Sequence, residues 1–346
     1  MTSLLSVDGG EGEGGGQILR TALALSAATG QGFAMSRIRA GRVRPGLRPQ
    51  HVAAVRAASL VCDAKVGGVF EGSPDLRFEP GSLAPGSFRF EIGTAGATSL
   101  VAQTVLSSLG TCTAASRVEV TGGTHVPASP SFDFLARHWA AALESLGVTT
   151  RFSLTRAGFY PPGGGEIRCE VEPWRGRPAT LRMESRGALL AVRGVSGASR
   201  VKGDVAERQR DGAQVRLWEA RRIEADWELT SPPAASPGAF LFLEAVFEGG
   251  RGAFWALAER RVRPEALGDA IARRLLAFLD ADGAVDPRLA DQLAVPLALA
   301  GGGGLVTTPE VTRHLETVAA TLELFGVPAR VHGRRGGPGA LEISRC

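Results

Sequence analysis

Leu143-Glu144-Ser145-Leu146-Gly147-Val148 returns later in the chain as Leu322-Glu323-Leu324-Phe325-Gly326-Val327. Each stretch closes a run with helical apolar spacing, and in each the Gly stands where a left-handed residue stops a helix without the steric cost of a Cβ. Reading outward from the first copy, Ser87–Ile92 is a strand, Ala97–Ser108 a helix, Arg117–Val120 a strand and Phe132–Leu146 a helix, with strands at Val148–Leu154 and Glu166–Val171 after it. Around the second copy the spacing predicts a helix over Arg288–Leu299, a strand over Leu305–Thr307, a helix over Val311–Phe325, and strands over Ala329–His332 and Ala340–Ile343. The opening of the chain shows the order once more: strand Leu4–Val7, helix Gln17–Ala28, strand Ala34–Arg39, helix Gln50–Val61, then strands Lys65–Phe70 and Leu76–Phe78. The expected fold class is therefore α+β (α/β), built on three β-α-β-α-β-β repeats.

The third repeat lacks an opening strand beside its first helix. Ala179–Met183 supplies one, which makes 185–279 a smaller inserted α/β domain and leaves 1–184 plus 280–346 as the large domain. Within the insertion, Leu189–Val195 and Gly238–Phe247 read as strands and Pro264–Leu276 as a helix, while the Pro-rich stretch Ser231–Gly238 reads as a mobile loop.

Asp8 to Gly16 runs D-G-G-E-G-E-G-G-G between the first strand and the first helix. Such a turn brings backbone N–H groups and the positive end of a helix up to a phosphate. Gly10, Gly12 and Gly15 formally satisfy G-x-G-x-x-G. Glu11 and Glu13 stand where a pyrophosphate would lie, no acidic ribose ligand follows the second strand, and the paired strands of the repeat do not suit a doubly wound sheet. No G-K-[ST] follows either, so this is not a Walker A loop. A carboxylate in a phosphate site makes chemical sense if it holds a divalent cation.

Arg37, Arg39, Arg42, Arg44 and Arg48 fall in one short segment with no carboxylate among them, and the net charge is +4. Both suit an anionic partner, although the overall excess is mild. Cys62, Cys112, Cys169 and Cys346 are far apart and form no C-x-x-C pair, which argues against a disulfide framework or a zinc site. Ser6 and Asp8 interrupt the first apolar stretch, and no uncharged apolar run reaches the ~18 residues of a membrane span. The expected location is the cytoplasm, with no membrane partner.

Several unusual strings in this order resemble the RNA 3′-terminal phosphate cyclases. They are Asp8 to Arg20 (DGGEGEGGGQILR), Ile38-Arg39-Ala40-Gly41-Arg42 with Pro45-Gly46-Leu47 and Gln50-His51, Ile92-Gly93-Thr94-Ala95-Gly96 through Gln103-Thr104-Val105-Leu106, Gly122-Gly123-Thr124, Gly158-Phe159-Tyr160-Pro161-Pro162-Gly163-Gly164-Gly165, and Leu289-Ala290-Asp291-Gln292-Leu293. The resemblance runs along nearly the whole chain and implies the three-repeat domain with an insertion reached above. It also implies that ATP adenylates a histidine, that the AMP passes to an RNA 3′-phosphate, and that the neighbouring 2′-OH then displaces it.

His314, in Arg313-His314-Leu315-Glu316-Thr317, occupies the family's nucleophile position. A neutral imidazole is a competent nucleophile, and its ordinary pKa of ~6.5 leaves it mostly unprotonated at neutral pH. By position, the resemblance implies that Gln103, Pro130, Phe134, Arg288, Leu289, Ala290, Asp291 and Gln292 form the ATP side, and that Arg20, Arg39, Arg42 and Gln50 take the RNA 3′-phosphate. Guanidinium groups bind phosphate oxygens in pairs, which suits the second set. Glu13 is the expected ligand for Mg²⁺ or Mn²⁺. Arg288 departs from the pattern, since the family commonly has an aromatic residue there; a guanidinium also stacks on a purine. Of the other histidines, His138 lies on a repeat helix, His332 in a late strand, His51 in the basic segment as a structural residue, and His125 has no assigned role. Two rivals remain open: a noncatalytic RNA-binding or ribosome-assembly relative on the same fold, and a nucleotide-dependent oxidoreductase using the Gly loop. The presence of His314 favours the enzyme over the first.

Overall fold

A computed structural model describes residues 4–174 and 180–345. Three of its sheets share one strand order, with the first two strands parallel and the others antiparallel. In the first sheet, β1 (Leu5–Asp8) lies parallel to β2 (Phe33–Ser36), β2 antiparallel to β4 (Leu76–Glu79), and β4 antiparallel to β3 (Lys65–Gly67). The second sheet repeats this with β5 (Ser87–Glu91), β6 (Ser116–Gly122), β8 (Gly165–Val171) and β7 (Thr150–Arg156). The third does so with β9 (Leu181–Met183), β14 (Gly304–Thr308), β16 (Gly339–Ile343) and β15 (Ala329–Gly333). β9 is the opening strand expected at Ala179–Met183; Ala179 itself lies outside the described residues, as does Cys346.

Parallel neighbours need a crossover, and a helix supplies it. Helix α1 (Gln17–Thr29) joins β1 to β2, and α3 (Thr98–Leu109) joins β5 to β6. α7 (Pro287–Ala300) precedes β14. The second helix of each repeat is α2 (Pro49–Val61), α4 (Phe134–Trp139 continuing over Ala140–Glu144), or α8 (Arg313–Leu324). Between β9 and α7 a fourth sheet forms from β11 (Asp226–Thr230), β10 (Leu189–Ser199), β12 (Gly238–Phe247) and β13 (Arg251–Leu257), packed against α5 (Val205–Arg221) and α6 (Pro264–Asp280). One apolar cluster runs through all three repeats, including Leu23, Phe78, Val105, Trp139, Leu293 and Leu322. A second, with Leu217, Leu243, Phe254 and Leu275, lies under the fourth sheet.

The matching hexapeptides close their helices in the same way. Val148 N–H donates to Leu143 O at 3.0 Å and Gly147 N–H to Glu144 O at 2.9 Å; Val327 N–H donates to Leu322 O at 3.0 Å and Gly326 N–H to Glu323 O at 2.9 Å. Gly147 and Gly326 hold φ of 77° and 78°. The first repeat uses the same cap without a glycine: Asp63 takes φ 47°, and Ala64 N–H reaches back to Ser59 O at 2.9 Å. Asp tolerates the left-handed region better than most residues, so the third copy carries no Gly to mark it.

Several sequence expectations need correction. β2 stops at Ser36 instead of running to Arg39, because Arg37 and Arg39 turn into the left-handed region at φ 54° and 55° and Ile38 N–H leaves the ladder for Pro74 O. The helix expected over Phe132–Leu146 opens as a π-helical stretch at Phe134–Trp139, continues over Ala140–Glu144, and is α4 here. α5, β11 and β13 went unread. The buried face of α5 is only Ala206, Gln209, Ala213 and Leu217, too thin an apolar stripe to stand out among its arginines. The Pro-rich loop after β11 is tied down: Ala157 N–H donates to Pro233 O at 2.7 Å and Ser199 Oγ to Pro232 O at 2.7 Å.

No atom lies within 4 Å of where a Cβ at Gly326 would project. Gly326→Ala is therefore expected to cost only the left-handed conformation, about 1–2 kcal/mol, read as a lower denaturant midpoint. An unchanged midpoint would show that the cap does not depend on glycine.

Candidate active site

The loops and first turns that follow the parallel strands surround a cavity of about 840 Å³. The Gly loop forms its floor. Gly12 and Gly14 adopt φ of 60° and 58°, and the tight approach of Gly12 to the Thr317 side chain leaves no room for a Cβ. The bend lets Glu13 N–H donate to Thr317 Oγ1 on α8 at 3.0 Å. Glu13 Oε1 accepts the Gln17 N–H at the start of α1 at 3.1 Å, and Oε2 pairs with Arg42. Glu13 faces the cavity, whereas Glu11 is exposed and does not line it.

Arg20, Arg39, Arg42 and Gln50 line one side. Burial pulls the Arg20 pKa down to about 10, opposed by Glu13 and then Asp291, so it stays cationic at neutral pH. Its Nη2 donates to Gln17 Oε1 at 2.8 Å. Arg39 is aimed by two backbone acceptors, Arg44 O at 2.8 Å and Gly46 O at 2.9 Å, which the left-handed turn at residues 37–39 brings within reach. Gln50 Oε1 accepts the Ala97 N–H at 3.2 Å, leaving the amide nitrogen as its donor. His51, read from sequence as structural, also lines the cavity. Its Nδ1 accepts the Arg48 N–H at 3.1 Å. Burial first, then Arg20, Arg39 and Arg48, push its pKa down to about 3, so the ring is neutral and Nε2 carries the proton.

The first turn of α7 also contributes to the lining. Asp286 caps it, accepting the Arg288 and Leu289 N–H groups at 3.0 and 3.1 Å. Arg288, Asp291 and Gln292 line the cavity with Pro130, while Leu289, Ala290 and Phe134 are fully buried in the core and do not reach it. Gln103 sits just behind, donating to Gln292 Oε1 at 2.6 Å and lining a smaller adjoining cavity. Burial, with Asp286 adding to it, raises the Asp291 carboxyl well above the usual range against the pull of Arg20 and Arg288. The Arg288 guanidinium lies 4.8 Å from the centroid of Trp255, a cavity-lining residue on β13 that sequence reading missed. The short apolar run Ala253-Phe254-Trp255-Ala256-Leu257 was the signal available for it. His125 lines the cavity from beneath, held between Thr124 Oγ1 at 2.9 Å and Asp133 Oδ2 at 3.2 Å and stacked on Phe240.

His314 enters from the first turn of α8, which Thr312 Oγ1 caps by accepting the Leu315 N–H at 3.0 Å. Burial lowers its pKa, helped by Arg20, Arg42 and Arg288 and opposed by Glu13. The imidazole is thus kept neutral beside three guanidinium groups and one carboxylate. Such a cavity can hold a polyanion and offer it a nitrogen nucleophile. Among the described residues no group of three or more His, Cys, Asp or Glu is arranged to hold a metal ion, and no helix is long and apolar enough to cross a membrane.

A family model described as RNA 3′-terminal phosphate cyclase matches residues 11–330. The RNA 3′-terminal phosphate cyclase of Ralstonia nicotianae is 44% identical over 321 residues, covering 93% of this chain and 91% of its own. That of Salmonella typhimurium is 42% identical over 334 residues, 95% of each chain. That of Methylococcus capsulatus is 40% identical over 339 residues, 96% of this chain and 93% of its own.

His51 carries a pH signature. Its folded pKa of about 3 lies below its ordinary value of 6.5, so the unfolded chain takes up the proton first as pH falls. His51 costs no stability above pH ~6.5, and stability declines as acid is added from there toward about 3. His51→Gln is expected to flatten that part of the acid limb in denaturant midpoints measured across pH. An acid limb identical in both proteins would show that the ring protonates in place.

Proposed function

This chain belongs to the RNA 3′-terminal phosphate cyclase family, and on that footing we propose that it uses ATP to convert RNA 3′-phosphate ends into 2′,3′-cyclic phosphates. The observation that carries the reading is His314, a neutral imidazole in the first turn of α8 whose surroundings are Glu13, Arg20, Arg42 and Arg288. A ring nitrogen attacks the α-phosphorus of ATP, the bond to the bridging oxygen breaks, and diphosphate leaves. An oxygen of the RNA 3′-phosphate then attacks the adenylyl phosphorus and the P–N bond to His314 breaks. The 2′-OH attacks the 3′-phosphorus, gives up its proton, and AMP departs. The activation is needed because a phosphate monoester oxygen is a poor leaving group, and the last step gains from being intramolecular.

The residues divide by charge. Arg288, Asp291 and Gln292, with Gln103 behind them and Pro130 beside them, are proposed for the adenosine, and the Arg288–Trp255 stack supports a flat cationic surface for a purine. Phe134, Leu289 and Ala290 act through the packing beneath that surface. Arg20, Arg39, Arg42 and Gln50 are proposed for the RNA 3′-phosphate. Glu13 would hold a Mg²⁺ or Mn²⁺ ion, and one carboxylate fits a cation that takes its other ligands from phosphate and water. When bound, the ion supplies neutralisation of phosphate charge. The same reading divides the chain into 1–184 plus 280–346 and an inserted 185–279, a division supported by the pairing of β9 with β14 across that segment.

Incubation with α-labelled ATP followed by denaturing electrophoresis tests the reading. The protein is expected to retain acid-labile label, and His314→Asn to abolish it while leaving the fold intact. A noncatalytic RNA-binding relative would take no label, and label on a different residue would overturn the nucleophile. For the RNA side, Arg39→Ala is expected to slow cyclisation of a 3′-phosphorylated oligonucleotide by roughly tenfold to a hundredfold, the size of a lost charged hydrogen bond, with a smaller effect on self-adenylation. Equal losses in the two assays would move Arg39 to the ATP side.

A further inference from the structure

His138, fully buried on the π-helical stretch of α4, takes no part in the reaction above. Its Nδ1 lies 2.6 Å from Glu244 Oε1 on β12 and its Nε2 2.7 Å from Asp286 Oδ2 at the head of α7. Both distances are those of strong hydrogen bonds to charged groups. A neutral ring has one N–H and cannot donate to two carboxylates. Both Asp286 oxygens are already acceptors, Oδ1 for the Arg288 and Leu289 N–H groups and Oδ2 for the Ala253 N–H at 3.2 Å.

Three further charged groups act on this cluster: Arg251 on β13, 3.4 Å from Glu244 and donating to His138 O at 3.2 Å, and Arg274 on α6 and Asp291 on α7, both of which interact with Asp286. Arg193 and Glu144 also act on Arg251. A ring with both nitrogens protonated gives each carboxylate a donor, whereas a neutral imidazole would leave one buried carboxylate oxygen facing a bare ring nitrogen, which is costly. Next to His138, Trp139 Nε1 donates to Gln292 O at 3.2 Å. Residues 138 and 139 therefore hold α7 at Asp286 and at Gln292, and Arg288 and Asp291 lie between those two points. Ala253 ties β13 to the same carboxylate two residues before Trp255.

We propose that His138 is held as an imidazolium and is the positioning residue that sets the first turn of α7 and the Trp255 wall against each other. The claim about position rests on the reading of that side as the adenosine site; the claim about charge does not. The Glu244 and Asp286 carboxylates raise the ring's pKa against the effect of burial.

Two measurements test this. ¹⁵N NMR of the unliganded protein, a unit above the ordinary imidazole pKa of ~6.5, is expected to show both His138 ring nitrogens protonated; a single protonated nitrogen overturns the proposal. The second is adduct yield titrated with α-labelled ATP for the native protein, His138→Gln, and His138→Gln with Glu244→Gln. The single variant is expected to need roughly tenfold to a hundredfold more ATP, the scale of a misplaced binding group, yet to reach the native yield. The double variant, which removes one negative charge along with the positive one, is expected to recover most of that loss. A double variant no better than the single one, or a single variant with native ATP dependence, overturns the positioning role. If His138→Gln alone does not fold, a folded double variant with near-native ATP dependence supports the charge argument, and an unfolded one overturns it. A native protein that takes no label would sink the proposed function, while the NMR result would still decide the state of the ring.

Discussion

The parallel pairing of the first two strands in each repeat is the constraint on which the rest depends. A parallel pair forces a helical crossover, and the second strand then feeds a second helix from the same edge. Three repeats deliver six helix beginnings, and each contributes to the cavity: Gln17 and Arg20 on α1, Gln50 and His51 on α2, Leu100 on α3, Pro130 just before α4, Arg288, Asp291 and Gln292 on α7, His314 on α8. Each beginning leaves backbone N–H groups without intrahelical partners and carries partial positive charge. Polyanion affinity is thus a property of the topology before any arginine is counted, and the arginines sharpen it.

Burial beside that pooled positive charge explains why one environment does different things to different groups. His51 and His314 are both driven toward the neutral form by burial and by guanidinium neighbours, and of the two His314 is the exposed one. The Asp291 pKa moves up instead of down, for the same first reason, burial, which favours its neutral form too, even with Arg20 and Arg288 nearby. Shifts in opposite directions within one cavity are what functional sites show when water is excluded from charged chemistry.

Much of this was legible in the residues. Two hexapeptides with Gly in the stop position were enough to show a repeat, and the paired carboxylates of the Gly loop were enough to argue against a dinucleotide fold. What stayed hidden has physical causes. Asp63 performs the glycine's role without its signature. Leu289 and Ala290 lie in a motif that also holds Arg288, Asp291 and Gln292, but a helix turns 3.6 residues at a time, so positions 288, 291 and 292 share one face while 289 and 290 point into the core. Trp255 and His51 act through tertiary neighbours far away in sequence, and no local spacing announces them. Arg39 reaches the cavity from a left-handed turn where the residue pattern reads as a continuing strand.

The bond between Glu13 N–H and Thr317 Oγ1 spans 304 positions in the sequence. During synthesis the Gly loop is made long before the helix that holds it. β9 likewise waits for β14 while the whole intervening segment is made. Contacts of such long range form late and slow folding. A nascent chain therefore carries two finished repeats beside an incomplete third while the segment from β9 to α8 is made. A truncation before α8 removes Thr317, and the Gly loop loses its distant anchor.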